Sequence, residues 1–402
     1  MKKPIAFAIG ALVVLIAAAK AGPPDRHVDK LVAGNNAFAF DLYGHLAKDP
    51  KATNLVLSPY SISMPLAMTY GGAAGDTAKE MARTLHLTIP ADDVHRSFAS
   101  LLAREKAVFV PKCYELNLAN SLWAQQGFAF RPEFLDLTRD KYFAGLKELN
   151  FATATEQSRK TINKWVEERT NQKIKELLRH GTIDSETRLV LTNAVYLKGE
   201  WTLPFDKNVT REKPFHVTPS VTVPVPMMAH RERFLYAEDD EMQLLDLPIG
   251  KRGVSVLIAL PKKADGLANL EKSFTQQRFE NLRRDMAYKA VIVEVPRFKI
   301  TSEFNLAKTL VAMGMSSAFG AKADFSGMAK EATLYISAVI HKAFLDVHEK
   351  GIEAAAATAV VIREGSLLTN IVFRADHPFL YIIRENSSGS ILFFGRLTHP
   401  GG

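Results

Sequence analysis

Residues 349–373 read "EKGIEAAAATAVVIREGSLLTNIVF", and the stretch asks for two different backbones. The run Ala354–Ala357 has the highest helix propensity available, because Ala gives up no side-chain entropy on ordering. Thr358 to Ile362 is instead rich in β-branched residues, whose stiff χ1 favours a strand. Gly351 precedes the run, and the polar break Arg363-Glu364-Gly365-Ser366 follows it. A segment suited neither to a stable helix nor to a permanent strand is one expected to change state.

The flanks set its context. On the N-terminal side, "ISAVIHKAFLDVHEKG" (336–351) is a strand pattern running straight into the segment. On the C-terminal side, "PFLYIIREN" (378–386) and "SILFFGRL" (390–397) are apolar strands around the turn Asn386-Ser-Ser-Gly389. Further upstream, "TRLVLTNAVYLKGEW" (187–201), "SVTVPVPMMA", "MQLLDLPI", "GVSVLIALP" and "AVIVEVPRFKITSEF" are period-2 or continuous apolar runs bounded by Pro and Gly. A helix near "NLAKTLVAMG" (305–314) interrupts them. Before residue 180 helical periodicity dominates. In "VDKLVAGNNAFAFDLYGHLAK" (28–48) Leu31, Val32, Phe38, Leu42 and Leu46 share one face. Ser58-Pro59 is a helix-start signal and Gly71-Gly72 an end signal. Strand-like "YELNLANSLWAQ" (114–125) breaks the helical part. Helices first and sheets afterwards, without βαβ alternation, is an α+β plan.

Composition narrows the function class. The 402 residues are 47% hydrophobic and 23% charged, ordinary for a globular protein with a large core. "MKKPIAFAIGALVVLIAAAKAG" has the layout of a secretory leader: two lysines, an apolar stretch, then Ala19-Lys20-Ala21. The rival reading is an uncleaved membrane anchor, for which the apolar run is short against a bilayer span of about 20 residues. Cleavage after Ala21 is expected, leaving a single domain over 22–402, exported to the periplasm or the medium and with no membrane attachment. The lysine-rich leader has a bacterial style. Losing Lys2, Lys3 and Lys20 lowers the formal charge from +8 to +5. Without a Lys/Arg block, zinc-finger spacing or aromatic-basic interleaving, nucleic acid is not an expected partner. Cys113 is the sole cysteine, so no intramolecular disulfide forms and packing must supply stability.

Several blocks, in order, resemble the serpin family: "NLVLSPYSISMPLAMTYGGAAGDTAKEM" (54–81), "LTNAVYLKGEWTLPF" (191–205), "VEVPRFKI" (293–300), "ADFSGM" (323–328), "HEKGIEAAAATA" (348–359) and "ADHPFLYIIREN…ILFFGRL" (375–397). The resemblance covers essentially all of the chain after the leader. It implies three β-sheets, eight or nine helices and an exposed reactive loop over about 351–372. In inhibitory members a protease cuts that loop and is trapped as a covalent 1:1 acyl-enzyme, while the cut loop inserts as a new central strand of the largest sheet.

The residues permit a check on that implication. Along a strand, side chains alternate faces. The inward set from the hinge Gly351 onward would be Ile352, Ala354, Ala356, Thr358, Val360 and Ile362. None of these six carries a charge, so each can be buried without stranding an ion. Glu353 and Arg363 fall on the outward set, and only at Glu364 does the inward face meet a charge. Some 13 to 14 residues at roughly 3.3 Å each span about 45 Å. Where Ile352 stands the family usually has Thr or Ser; Ile is bulkier but apolar and strand-favouring.

The resemblance also implies roles elsewhere. Ser58, Ser61, Asn193 and His341 match a polar cluster beneath the opening sheet. Glu349 and Arg297 match an ion pair where the loop first enters, with Trp201 packed nearby. The family's spacing from Glu349 places the reactive bond at Gly365–Ser366, suited to elastase-like, subtilisin-like or cysteine proteases. Arg363–Glu364 would instead suit a trypsin-like enzyme, and Leu367 or Leu368 a chymotrypsin-like one.

Enzyme signals do not survive inspection. His348-Glu349-Lys350-Gly351-Ile352 lacks the second His of a zinc protease helix, and "GGAAGDT" (71–77) lacks the Lys-Ser/Thr of a phosphate loop. There is no Gly-x-Ser-x-Gly elbow. No catalytic residue, metal or cofactor is therefore expected. The expected function is an exported, monomeric suicide inhibitor of a serine, or alternatively a cysteine, protease. The alternative is a non-inhibitory serpin acting as carrier, storage protein or chaperone.

Overall fold

A computed structural model describes residues 26–108, 114–142, 144–330, 334–352 and 371–401. The leader, Cys113 and the reactive-loop residues 353–370, including Ala354, Ala356, Thr358, Val360, Ile362, Arg363, Gly365, Ser366 and Leu367, lie outside the described residues.

The helical part begins with α1 (Arg26–Leu46), followed by the short strand β1 (Leu55–Leu57) and α2 (Pro59–Tyr70). Ser58 caps α2: its hydroxyl accepts from the Ser61 N–H, with Pro at the first turn, and Gly71 forms the C-cap. The chain continues through α3 (Gly75–Thr84), α4 (Ala91–Val108), β2 (Tyr114–Gln125), α5 (Pro132–Tyr142), β3 (Leu146–Leu149) and α6 (Phe151–Arg169). Helix does not run on to residue 180 as periodicity suggested. After Arg169 the chain turns repeatedly, with positive φ at Asn171, Gln172 and Glu176, and such left-handed positions cannot propagate an α-helix.

Strands then dominate: β4 (Leu189–Glu200), β5 (Arg211–Thr218), β6 (Val221–Glu238), β7 (Met242–Ile249) and β8 (Val254–Pro261). After α7 (Leu267–Ser273) and α8 (Gln276–Arg284) come β9 (Ala287–Pro296) and β10 (Phe298–Asn305). The expected single run 290–304 is thus divided after Pro296, which has no N–H to continue a ladder. Then follow α9 (Ala307–Ala312), β11 (Ile336–His348), the two-residue β12 (Gly351–Ile352), β13 (Ile371–Arg374), β14 (Phe379–Glu385) and β15 (Ile391–Leu397).

One ladder is six-stranded, in the order β10-β11-β12-β4-β2-β3. The other pairings share the long strand β6. It joins β5 and β9, and β13 adds to β9, whereas only Leu235–Glu238 of β6 pair with β7. From β7 the order runs β8-β14-β15-β1. The strands therefore form a six-stranded sheet and a nine-stranded one that divides into two parts at β6, and the described residues contain nine α-helices, as the family resemblance implied. One large core packs α1 and α2 against the inner faces of the sheets. A second, smaller core lies between α6 and the opposite face of the six-stranded sheet.

Candidate functional site

The centre of the six-stranded sheet is built around a seam. Along most of their length β4 and β11 pair directly and in parallel, from Ile336↔Leu189 to Phe344↔Tyr196. At the top they part, and β12 occupies the gap. Gly351 and Ile352 pair antiparallel with His348 and Val347 on one side and with Glu200 and Gly199 on the other. Ile352 is fully buried, on the face that the alternation assigned inward. The segment quoted at the outset thus enters the sheet as a wedge two residues deep.

A clamp surrounds this wedge. The Trp201 indole N–H donates to the His348 carbonyl at 2.8 Å, and its backbone N–H donates to the Lys350 carbonyl at 3.0 Å. The Glu349 carbonyl accepts from the Phe205 N–H at 2.9 Å, and its buried carboxylate accepts from the Thr210 hydroxyl at 2.9 Å. Arg297 lies 3.5 Å from the same carboxylate. Glu349, Arg297 and Trp201 therefore meet at one place. Thr210 and Phe205 complete the clamp, and nothing in their local sequence pointed to it.

Farther down the seam, Ser58, Ser61, Asn193 and His341 form one hydrogen-bonded chain whose direction is fixed by chemistry. The Ser58 backbone N–H can only donate, so His341 Nε2, 3.2 Å away, must be the acceptor. The imidazole proton then sits on Nδ1 and is donated to Asn193 Oδ1. The Asn193 amide donates onward to the Ser61 hydroxyl and to Asn120 Oδ1. Complete burial pushes the His341 imidazole down to about 3, so it stays neutral. Asn120 was missed by the sequence reading. It stands directly opposite Asn193 in the β2–β4 ladder, and only the register reveals that.

This architecture is shared with known proteins. The family described as serpin (serine protease inhibitor) matches residues 33–400. The chain belongs to the serpin family. A leukocyte elastase inhibitor of Bos taurus is 40% identical to it over 381 residues, covering 93% of this chain and 100% of the relative. Among solved structures, Serpin48 of the insect Tenebrio molitor is 32% identical, with a TM-score of 0.85 over 94% of this chain and 100% of that one. Uncleaved ovalbumin is 30% identical, with a TM-score of 0.83 over 92% and 100%. The cattle and insect relatives lend no support to the bacterial style of the leader.

As a serpin, the chain sides with protease inhibitors rather than enzymes. Its six-stranded sheet is covered on one side by α6 and the segment that follows it: Phe151, Ile162, Val166, Ile174, Leu177 and Leu178 share one core with Trp123 of β2, Val190, Ala194 and Tyr196 of β4 and Ala338, Ile340 and Phe344 of β11, with α6 itself against β2. A strand entering the seam would meet this core on one face. The other end of the loop is tied down at β13, which pairs in parallel with β9. There Arg374 and Lys213 both contact the buried Glu294 carboxylate, at 2.8 and 2.6 Å.

Proposed function

We propose that this serpin is an exported suicide inhibitor of serine-type endopeptidases. The observation that carries the reading is the seated wedge β12. Continuing its two ladders with no shift pairs residue 354 with Leu197 and residue 356 with Val195. Thr358 then falls between Asn193 and His341, the two ends of one hydrogen bond in the closed seam. Its hydroxyl supplies the donor and acceptor that the separated pair requires. Ile362 falls opposite Leu189, the first residue of β4, so the register runs out before Glu364 would have to be buried.

The chemistry follows from that path. The protease serine Oγ attacks the Gly365 carbonyl carbon, and the bond to the Ser366 nitrogen breaks. That nitrogen leaves as an amine, taking its proton from the protease histidine, and an ester joins residue 365 to the enzyme. Insertion of residues 353–363 then carries the ester about 35 Å along the sheet, ahead of hydrolysis by water. The complex is covalent and 1:1, and the inhibitor acts as a monomer. Cysteine proteases would be captured through the corresponding thioester. Arg363–Glu364 and the bonds after Leu367 and Leu368 are the alternative cut sites. Export rests on residues 1–21, with 22–402 forming one serpin domain.

The test mixes mature protein with trypsin, chymotrypsin, elastase, subtilisin and a papain-like enzyme. Denaturing gels should show a complex that survives boiling, and mass spectrometry of the released peptide should place the cut between 363 and 368. Cleavage of the loop without a complex across the whole panel would replace inhibition by a non-inhibitory carrier, storage or chaperone role.

A further inference from the structure

The reactive loop stands on two feet, leaving the six-stranded sheet after Ile352 and rejoining the described chain at Ile371 of β13. One short run of chain links the two. Thr210, which donates to the Glu349 carboxylate at the first foot, leads directly into β5, and Lys213 of β5 reaches the Glu294 carboxylate at the second foot, 2.6 Å away. The ground between is basic. Lys207, Arg211, Arg297, Lys350 and Arg374 are exposed there, and Lys213 is partly so. The two carboxylates they surround, Glu294 and Glu349, are buried and already covered, Glu294 by Lys213 and Arg374 together and Glu349 by Arg297. Among the described residues these ion pairs take in none of Lys207, Arg211 and Lys350. The Arg211 guanidinium is fixed instead by backbone, donating to the Asn208 and Thr210 carbonyls at 2.6 and 2.9 Å. Acids at the surface of the same run are fewer: Glu212 is exposed, and Asp206 accepts from the Asn208 N–H at 2.8 Å. Each foot also shows one large apolar side chain to solvent, Val209 at 41% and Val372 at 47%.

We propose that the basic ground around both feet is a docking surface, and that it selects a protease whose substrate cleft is rimmed by carboxylates interspersed with apolar side chains. The inference rests on the inhibitory reading above and narrows it from a kind of cut site to a kind of protease surface. Gly365 and Ile371 are six residues apart, and an extended chain covers at most about 3.5 Å per residue, so the expected cut bond lies within about 20 Å of β13. A protease domain of roughly 200 residues is about 40 Å across. Once it takes the bond into its cleft, its rim therefore overhangs the cations at the second foot. Their charge acts before contact as well, because a field of one sign raises the local concentration of an oppositely charged partner and its on-rate by 10-fold or more at low salt. The surface leaves the acyl step alone. It decides which protease arrives, and the seam decides whether that protease is kept.

The test sets two elastases that cut after small residues, one of acidic and one of basic isoelectric point, against the full mature protein at 20 and 300 mM NaCl. The quantity read is the second-order rate constant of loop cutting, normalised to each enzyme's rate on an uncharged peptide. It reports docking whether or not the cut ends in a trapped complex. At 20 mM NaCl the acidic enzyme should cut at least 10-fold faster than the basic one. It should lose about 10-fold at 300 mM, where the Debye length falls from about 20 Å to about 6 Å. Lys207→Glu combined with Lys350→Glu should slow the acidic enzyme about 10-fold at 20 mM and speed the basic one, a gain that misfolding cannot mimic. Cutting at these rates without a complex that survives boiling would refute the inhibitory reading while supporting the docking surface. Equal rates for the two enzymes, zero included, or rates indifferent to salt and to the double variant, would overturn the surface.

Discussion

Gly351 shows how narrowly the wedge is built. Its φ is +149°, and a Cβ there would lie 2.0 Å from the Gly199 carbonyl oxygen and 2.7 Å from the Glu200 Cα. Both contacts are backbone and cannot swing away, so Gly351→Ala should unseat β12 at a cost of about 1–3 kcal/mol. Faster nicking of the loop by dilute protease is the readout; an unchanged rate would mean that the wedge is not held there. His341 gives the second residue-scale expectation. The native imidazole is held near 3, whereas the unfolded one titrates near 6.5. As pH falls below about 6.5 the unfolded chain therefore takes up a proton that the native fold refuses, and stability is lost from there down toward pH 3. Between pH 6.5 and 5 this amounts to about 2 kcal/mol. Protonation would also deprive the Ser58 N–H of its acceptor. Thermal melts across that range should fall more steeply for the natural protein than for His341→Gln; parallel profiles would show that another group carries the acid sensitivity.

At the scale of the element, the alanine run acquires a reason that strand alternation alone did not supply. The inward set of the loop would face α2 and the polar chain, but its outward set would not face water. In the continued register residues 355, 357 and 359 would pair with Tyr196, Ala194 and Thr192, and Tyr196 and Ala194 belong to the core shared with α6 and the segment after it. On that path Ala355, Ala357 and Ala359 would have to enter this packed core, where a larger side chain would overfill it. Ala356→Arg, which points a charge at the opposite, fully buried face, should convert the protein from inhibitor to substrate, cleaved but not trapping. Ala357→Trp should have a milder effect, raising the number of inhibitor molecules consumed per protease trapped. Gel densitometry against a fixed amount of protease distinguishes the two. Trapping at natural efficiency by Ala356→Arg would sink the insertion register.

At the scale of the whole molecule, the uncut chain is tied at both ends of the loop, by the wedge at β12 and by the Glu294 contacts at β13. A complete central strand would pair with β4 and β11 together, and each added backbone hydrogen bond contributes about 1 kcal/mol net. Some 10 to 20 such bonds should raise the melting temperature of loop-cut protein by about 20 °C or more. Differential scanning calorimetry before and after a single cut is the measurement, and coincident melts would favour the non-inhibitory role.

The sequence by itself determined the elements and their kind. Ser58-Pro59 and Gly71 bound α2 because capping is local chemistry, and 114–125 and 242–249 stood out as strands because alternation is a property of neighbours in the chain. It also marked the uncharged face from Ile352 to Ile362. The tertiary structure decided what those elements meet. Asn120 joins Asn193 and His341 only through strand register, Thr210 reaches Glu349 only through a turn 139 residues away in the chain, and the outer face of β4 and β11 is covered by α6 and the segment that follows it. Periodicity reports which face of an element is apolar, but not which partner covers it, because packing brings together residues that no local pattern connects.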